Sequence, residues 1–272
     1  MYKKIGVGLG IVIIIILMVK GIMAIKASAG PGKDASIPGS AANIYTQAVG
    51  LEAADDPLGA KELYKKILAD FPDFDKVEEV QKKLEDLNTR IILSKIETPS
   101  TVIHMVVAGD SLEKIAKKYN TTVALIKKSN DLKSNVIRIG QRIRIWKGVF
   151  SVFVDKSQNI LMLKSDDEIV KVYAVSTGAN NSTPVGTYKI VVKQKNPVWF
   201  SKGKVIPPES PENVLGTRWM GFDNPPDYGI HGTVDPQNIG KQVTAGCVRM
   251  RNTEVEELYD LLPEGTQVTI VD

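Results

Sequence analysis

A chain of 272 residues, 43% hydrophobic and 24% charged, has room for two or three modest domains and argues against one large core. A single cysteine excludes an internal disulfide, and 35 Lys plus Arg against 31 Asp plus Glu is too balanced to call for a nucleic-acid partner. The charge is unevenly spread: residues 101–147 hold ten basic and three acidic side chains, residues 148–272 twelve and fifteen.

Residues 1–28 open with Lys3 and Lys4 and continue as IGVGLGIVIIIILMV before Lys20 and GIMAI. Counted to Ile25, the apolar stretch has about the 20 residues that cross a bilayer as a helix, with Lys20 able to snorkel to the headgroups. A membrane anchor is the favoured reading; a cleaved export signal, with Ala27, Ser28 and Ala29 as an A-x-A site, is the competitor. Either way the basic amino terminus is expected to stay in the cytoplasm and the rest to be exported. No cysteine follows the stretch, so lipid modification there is excluded.

Residues 29–40, AGPGKDASIPGS from Ala29, have no hydrophobic period and read as a flexible linker. Helical spacing then takes over in residues 41–96. Ala42, Tyr45, Ala48 and Val49 predict one helix, and Pro57 opens a second through Ala60, Leu63, Tyr64, Ile67 and Leu68. A third, from about Asp75, is carried by Val77, Val80, Leu84, Leu87 and Ile91. AKELYKKILADFPDF resembles a tetratricopeptide hairpin, but one repeat plus a helix is short for that architecture. A helical spacer is therefore preferred to a groove for a protein partner.

Residues 101–147 predict strand, helix, helix, strand. Asp110 and Glu113 form a capping box ahead of a helix with Leu112, Ile115, Ala116 and Tyr119, and a second helix follows Thr121 with Val123, Leu125 and Ile126 inward. Gly140 then turns the chain into RIRI, where Ile143 and Ile145 alternate with Arg142 and Arg144. GDSLEKIAKKYNTT, the stretch from Asn130 to Leu132 and IRIGQRIRI together resemble a LysM domain. The resemblance covers the module and implies binding to N-acetylglucosamine-containing glycan strands, hence to peptidoglycan. His104 reads as a strand-edge residue, because no Cys, His or carboxylate stands at metal spacing from it.

From residue 148 the pattern is mainly β. Phe150, Val152 and Val154, a turn at Ser157 to Asn159, ILMLK and IVKVYAVSTG predict consecutive antiparallel strands, and TPVGTYKIVVKQK another. NPVWFSKGKVIPPESP, from Asn196 to Pro211, is too rich in proline for a core strand and reads as a long loop over a site. One helix begins near Asn252, a good cap, runs through Val255, Leu258, Leu261 and Leu262, and stops at Pro263 and Gly265. GTQVTIVD closes the domain as a strand.

Two glycine-flanked segments carry chemistry here: YGIHGTVDPQNIG around His231, and TAGCVRM around Cys247. A free thiol titrates near pH 8.5, and a partner imidazole can take its proton and hold the ion pair, which suffices for acyl transfer. Gly232 and Gly246 would let the backbone approach substrate, and amides near Cys247 would face a developing oxyanion. A lone cysteine is more often a buried small hydrophobe, and a lone histidine a satisfied structural residue. Export weighs against that reading, since an unpaired thiol outside the cytoplasm is an oxidation liability.

TPVGTY, VIPPESPEN, LGTRWMGF, YGIHGT, TAGCVRM and GTQVTIV occur in the order found in the L,D-transpeptidase catalytic domain, the YkuD family, which residues 148–272 resemble. The resemblance implies Cys247 as nucleophile and His231 as general base and acid. It implies Thr244 at a position usually Ser or Thr, Gly246 before the nucleophile, and Arg249 two residues after it, orienting the loop or binding a substrate carboxylate. Gly232, Arg218, Trp219 and Tyr228 would support or line the substrate site; Trp199 and Phe200 are further candidate walls, though such aromatics could equally be core. Many members have a second histidine two residues before the nucleophile, where this chain has Ala245. The implied reaction is attack on the peptidoglycan stem peptide before its terminal D-alanine, giving a thioester that an amine or water resolves, with no cofactor and no metal. A wall-binding scaffold without activity is the rival reading. The expected architecture is multidomain: an α-helical hairpin-like spacer, a small α+β LysM domain and a mainly β catalytic domain.

Overall fold

The computed structural model describes residues 39–201 and 203–272. The expected anchor or signal (1–28) and nearly all of the linker (29–40) lie outside the described residues, among which no helix is long and apolar enough to cross a membrane. The chain divides into two compact units, the second beginning at Ile92.

The first unit is helical. α1 (Ala41–Ala53) starts on Ser40, whose hydroxyl accepts the Asn43 N–H at 3.2 Å. α2 (Pro57–Asp70) starts on Asp56, whose carboxylate accepts the Gly59 N–H at 2.9 Å, with proline at the first position where no N–H is needed. α3 spans Val77–Ile92. Ile44, Ala48, Ala60, Tyr64, Ile67, Val80, Leu84 and Leu87 form its core. Val49, expected inside, is exposed; the buried stripe of α1 is the i, i+4 pair Ile44 and Ala48, one position away.

The second unit opens with the strand-helix-helix-strand module: β1 (Thr101–Met105), α4 (Leu112–Lys118), α5 (Val123–Ser129) and β2 (Arg142–Trp146). β1 and β2 pair antiparallel, His104 opposite Ile143. The helices are too short to persist alone and are held by a core of Val106, Leu112, Ile115, Ala116, Ile126, Ile143 and Ile145. The capping box differs from expectation: Ser111, not Asp110, caps α4 through its hydroxyl on the Lys114 N–H at 3.2 Å. Asp110 instead accepts from the Val107 N–H and from His104 Nε2, both at 2.9 Å, while His104 Nδ1 meets the Tyr119 hydroxyl at 3.1 Å. His104 is thus a buried, satisfied residue.

The rest of the unit is built from β3 (Phe150–Asp155), β4 (Ile160–Ser165), β5 (Glu168–Ala174), β6 (Thr177–Gly178), β7 (Gly186–Lys195), β8 (Trp199–Ser201), β9 (Lys204–Ile206), β10 (Arg218–Phe222), β11 (Gly229–His231), β12 (Gln242–Thr244), β13 (Val248–Arg249), α6 (Asn252–Leu261) and β14 (Gln267–Val271). Eight strands form one sheet in the order β13-β11-β10-β7-β14-β3-β4-β5. The sheet is mixed and not simply antiparallel: β14 returns from α6 to run parallel to β3, and β13 runs parallel to β11. A helix between strands permits such a crossover. The Pro-rich stretch is also more than a loop, since β8 and β9 make a separate hairpin within it. Val255, Leu258, Leu261 and Leu262 of α6 enter the core of Phe150, Val152, Leu163, Ile190, Met220, Ile230, Val248 and Val268.

The small module sits directly on this core. Leu125 of α5 belongs to the same buried cluster, the Thr122 hydroxyl donates to the Asp260 carbonyl, and Lys128 pairs with the Asp260 carboxylate at 2.9 Å. Arg144, read as an outward residue of an alternating strand, is buried: Nε donates to the Ile96 carbonyl at 2.7 Å and Nη1 to that of Ile92 at 3.0 Å. Burial lowers its pKa to about 10, still charged at neutral pH. Arg144→Ala would strand both carbonyls and lower stability by about 2–4 kcal/mol, the range for losing charged hydrogen bonds in a buried place; urea unfolding of the full chain measures it.

Candidate active site

The two segments picked out by their chemistry lie side by side because β11 and β13 are neighbours. Ile230 pairs with Val248 and His231 with Arg249, so Cys247, immediately before β13, is level with Gly229, two residues along β11 from His231. The Met250 N–H donates to the His231 carbonyl at 2.8 Å, and Arg249 exchanges two 2.8 Å backbone bonds with Ser176. The nucleophile candidate is therefore held from both flanks by main-chain bonding.

Thr244 explains its own residue type. Its hydroxyl accepts the Gly246 N–H at 3.1 Å and donates to the Cys247 carbonyl at 2.7 Å, closing the turn that presents the thiol. Only a hydroxyl does both at that length. Gly246 has φ +133°, and a Cβ there would come within 2.3 Å of Tyr228 Cε1. The absent side chain leaves room for the Tyr228 ring, and the Gly246 amide is engaged by Thr244.

The Cys247 sulfur lies 3.7 Å from the Asp227 carbonyl and also receives the Gly229 N–H. Burial pushes the thiol up to about 11, against the smaller opposing pull of the Gly229 amide and the Arg249 charge. His231 is 3% exposed. Burial pushes its imidazole down to about 4, with the Gly232 hydrogen bond opposing and the Arg249 charge assisting. At neutral pH both shifts favour the uncharged forms, thiol and imidazole. His231 Nδ1 is 2.7 Å from the Gly232 carbonyl. A carbonyl only accepts, so Nδ1 carries the proton and Nε2 the free lone pair.

The remaining candidates divide by strand alternation along β10. Trp219 pairs with His231 across β10 and β11, and their ring centroids are 5.9 Å apart at 31°. Arg218 points to the opposite face, where Nη1 donates to the Thr217 carbonyl at 2.7 Å and the guanidinium lies 5.5 Å from the Tyr259 ring and 3.7 Å from Glu256. It is joined to α6 and not to the imidazole. Tyr228 covers Gly246; Phe200, on the β8–β9 hairpin, is exposed, and Trp199 pairs with Ile206 there. Arg249 has a buried Nε with no hydrogen-bond partner. At Gly232 a Cβ would lie 2.2 Å from Asn252 Oδ1. Asn252 was readable only as a helix cap; Arg251 precedes the helix, and the Asn252 side chain turns to the loops instead. Among the described residues no group of three or more His, Cys, Asp or Glu is placed to hold a metal.

Comparison with known proteins gives two domain matches: the L,D-transpeptidase catalytic domain (YkuD) over residues 150–270 and the LysM domain over residues 104–146. An L,D-transpeptidase named YqjB from Bacillus subtilis is 42% identical over 126 residues, 44% of this chain and 70% of that one. One named YkuD from Bacillus licheniformis is 33% identical over 178 residues, 62% of this chain and 98% of that one. Its namesake in Bacillus subtilis is 30% identical over 174 residues, covering 61% and 97%.

The thiol's displacement is directly measurable. Alkylation of Cys247 by iodoacetamide should climb roughly tenfold per pH unit through pH 9 and 10 and level only near about 11; levelling near pH 8.5 would show an unshifted thiol.

Proposed function

The chain belongs to the L,D-transpeptidase (YkuD) family, and on that premise we propose that it is a cysteine-dependent peptidoglycan L,D-transpeptidase whose nucleophile is Cys247 and whose base is His231. The observation that carries the reading is the Nδ1 bond to the Gly232 carbonyl at 2.7 Å, which leaves Nε2 of a neutral imidazole free to take a proton.

Cys247 attacks the carbonyl of the third stem residue, at its L-centre. Because the thiol is pushed up and the imidazole down, the proton passes from Sγ to His231 as the sulfur–carbon bond forms, not beforehand. The tetrahedral intermediate collapses with breakage of the peptide bond, His231 returns the proton to the departing amine, and D-alanine leaves. The enzyme then carries a thioester. The amine of a second stem peptide, deprotonated by His231, resolves it to a cross-link between two third residues; water in its place would make the enzyme an L,D-carboxypeptidase.

Arg249 adds positive potential beside both groups, lowering thiol and imidazole pKa alike. That favours the thiolate as it develops and keeps the base unprotonated. Its unpartnered buried Nε suits a substrate carboxylate. The Trp219 indole makes one wall beside His231. The LysM domain holds glycan strands, and the activity belongs outside the cytoplasm.

Cys247→Ala should abolish D-alanine release from a tetrapeptide muropeptide while binding of the full chain to wall sacculi persists. Retained release would remove Cys247 from the mechanism. For the parent enzyme, kcat/KM should be flat across neutral pH and fall on the acid side only as His231 protonates, near about pH 4. An acid limb near pH 6.5 would mean an imidazole without the burial penalty.

A further inference from the structure

One partly buried polar contact near His231 has no part in the chemistry above. The Asn252 side-chain oxygen accepts two main-chain N–H groups, that of Thr233 at 3.0 Å and that of Thr217 at 3.2 Å. Both partners are obligate donors, so the atom facing them is the oxygen and not the amide nitrogen. The chain clears space for it on two sides. A Cβ on Gly216 would lie 2.3 Å from that oxygen and one on Gly232 2.2 Å from it; Gly216 has φ +63° and would also collide with the Thr233 nitrogen at 2.4 Å.

The Thr233 N–H and the Gly232 carbonyl belong to one peptide group. At one end that group donates to Asn252; at the other it accepts the proton of His231 Nδ1 at 2.7 Å. We infer that Asn252 is a positioning residue for His231, holding the Gly232–Thr233 peptide in the one orientation that fixes the imidazole as its Nδ1–H tautomer.

The physical basis is twofold. A peptide bonded at its N–H is polarised, and its carbonyl becomes a better acceptor for Nδ1. The same bond stops the peptide plane from turning, which in a loop flanked by glycine costs little otherwise. Without it the Gly232 carbonyl can leave Nδ1, the proton is free to move to Nε2, and the ring loses the lone pair it needs. Thr217 ties the preceding loop to the same oxygen, so the segments before β10 and after β11 share one anchor on the first residue of α6.

The inference rests on His231 being the base, and the test separates the two. The chain has two histidines, so selective 15N-histidine labelling of the full chain gives only two imidazole rings, with His231→Gln identifying which belongs to His231. In the parent, His231 should be neutral at pH 7 and protonated at Nδ1. Asn252→Ala should mix the tautomers or lose the Nδ1–H signal, and lower kcat by roughly 10- to 100-fold, a fraction of what a general base supplies, with KM little changed. Asn252→Asp keeps an oxygen for both N–H groups; it should restore the Nδ1–H signal and most of kcat, and its added negative charge should move the His231 titration and the acid limb of kcat/KM to higher pH. A purely structural role would leave the tautomer in folded Asn252→Ala as it is in the parent. His231 resonances unchanged in Asn252→Ala, or an unmoved titration in folded Asn252→Asp, would overturn the inference. Activity surviving in His231→Gln would instead overturn the base assignment, and the ring spectra would still decide what Asn252 does.

Discussion

A neutral imidazole in a buried place needs its one N–H satisfied, and His231 meets that need with a single main-chain carbonyl, its neighbour's. The rest of the site follows from the demand. The acceptor must come from a residue without a side chain on the crowded side, since Asn252 occupies that space at Gly232. The same burial that keeps the ring uncharged also keeps the thiol protonated, so neither group is reactive by itself. Reactivity is deferred to the moment when a carbonyl carbon arrives, and a thiol held in its neutral form is slow to oxidise, because oxidation also proceeds through the thiolate.

The sheet solves the placement problem by parallel pairing at one edge. β11 and β13 run side by side in the same direction, which brings the residue just before β13, Cys247, and the last residue of β11, His231, onto neighbouring strands two residues apart in register. Returning the chain from β13 to β14, four strands inward, requires a connection across the sheet, and α6 is that connection. Its buried stripe, Val255, Leu258 and Leu261, fills the core, while its first residue reaches the loops around His231. At its other end, Lys193 donates to the carbonyls of Tyr259 at 2.7 Å and Leu262 at 2.5 Å, satisfying groups a helix terminus leaves open.

The amino-acid sequence made much of this legible. Period-3.6 spacing located the three helices of the first unit within a few residues, and turn residues at short intervals located the strands of the last domain. The segments bearing His231 and Cys247 were visible as glycine-flanked islands. What stayed hidden was long-range. Whether β14 pairs parallel or antiparallel depends on where the chain comes from, not on its own alternation. Arg144 looked like the outward member of an alternating pair, because nothing local reveals that carbonyls 48 and 52 residues earlier await its guanidinium. Asn252 looked like a cap because helix starts favour asparagine, and its partners lie 19 and 35 residues away. Gly232 and Gly246 could be read as needing freedom, but not on whose behalf: Asn252 in one case and Tyr228 in the other.

Asp260, near the end of α6, gives its carbonyl to the Thr122 hydroxyl and its carboxylate to Lys128, both from the helix pair of the small module. Eight residues earlier along the same helix stands Asn252, the anchor of the histidine loop. At a rise of about 1.5 Å per residue, the two attachments are separated by roughly 12 Å of rod. The small module and the histidine loop are therefore mounted like the two jaws of a caliper, at a separation that α6 sets.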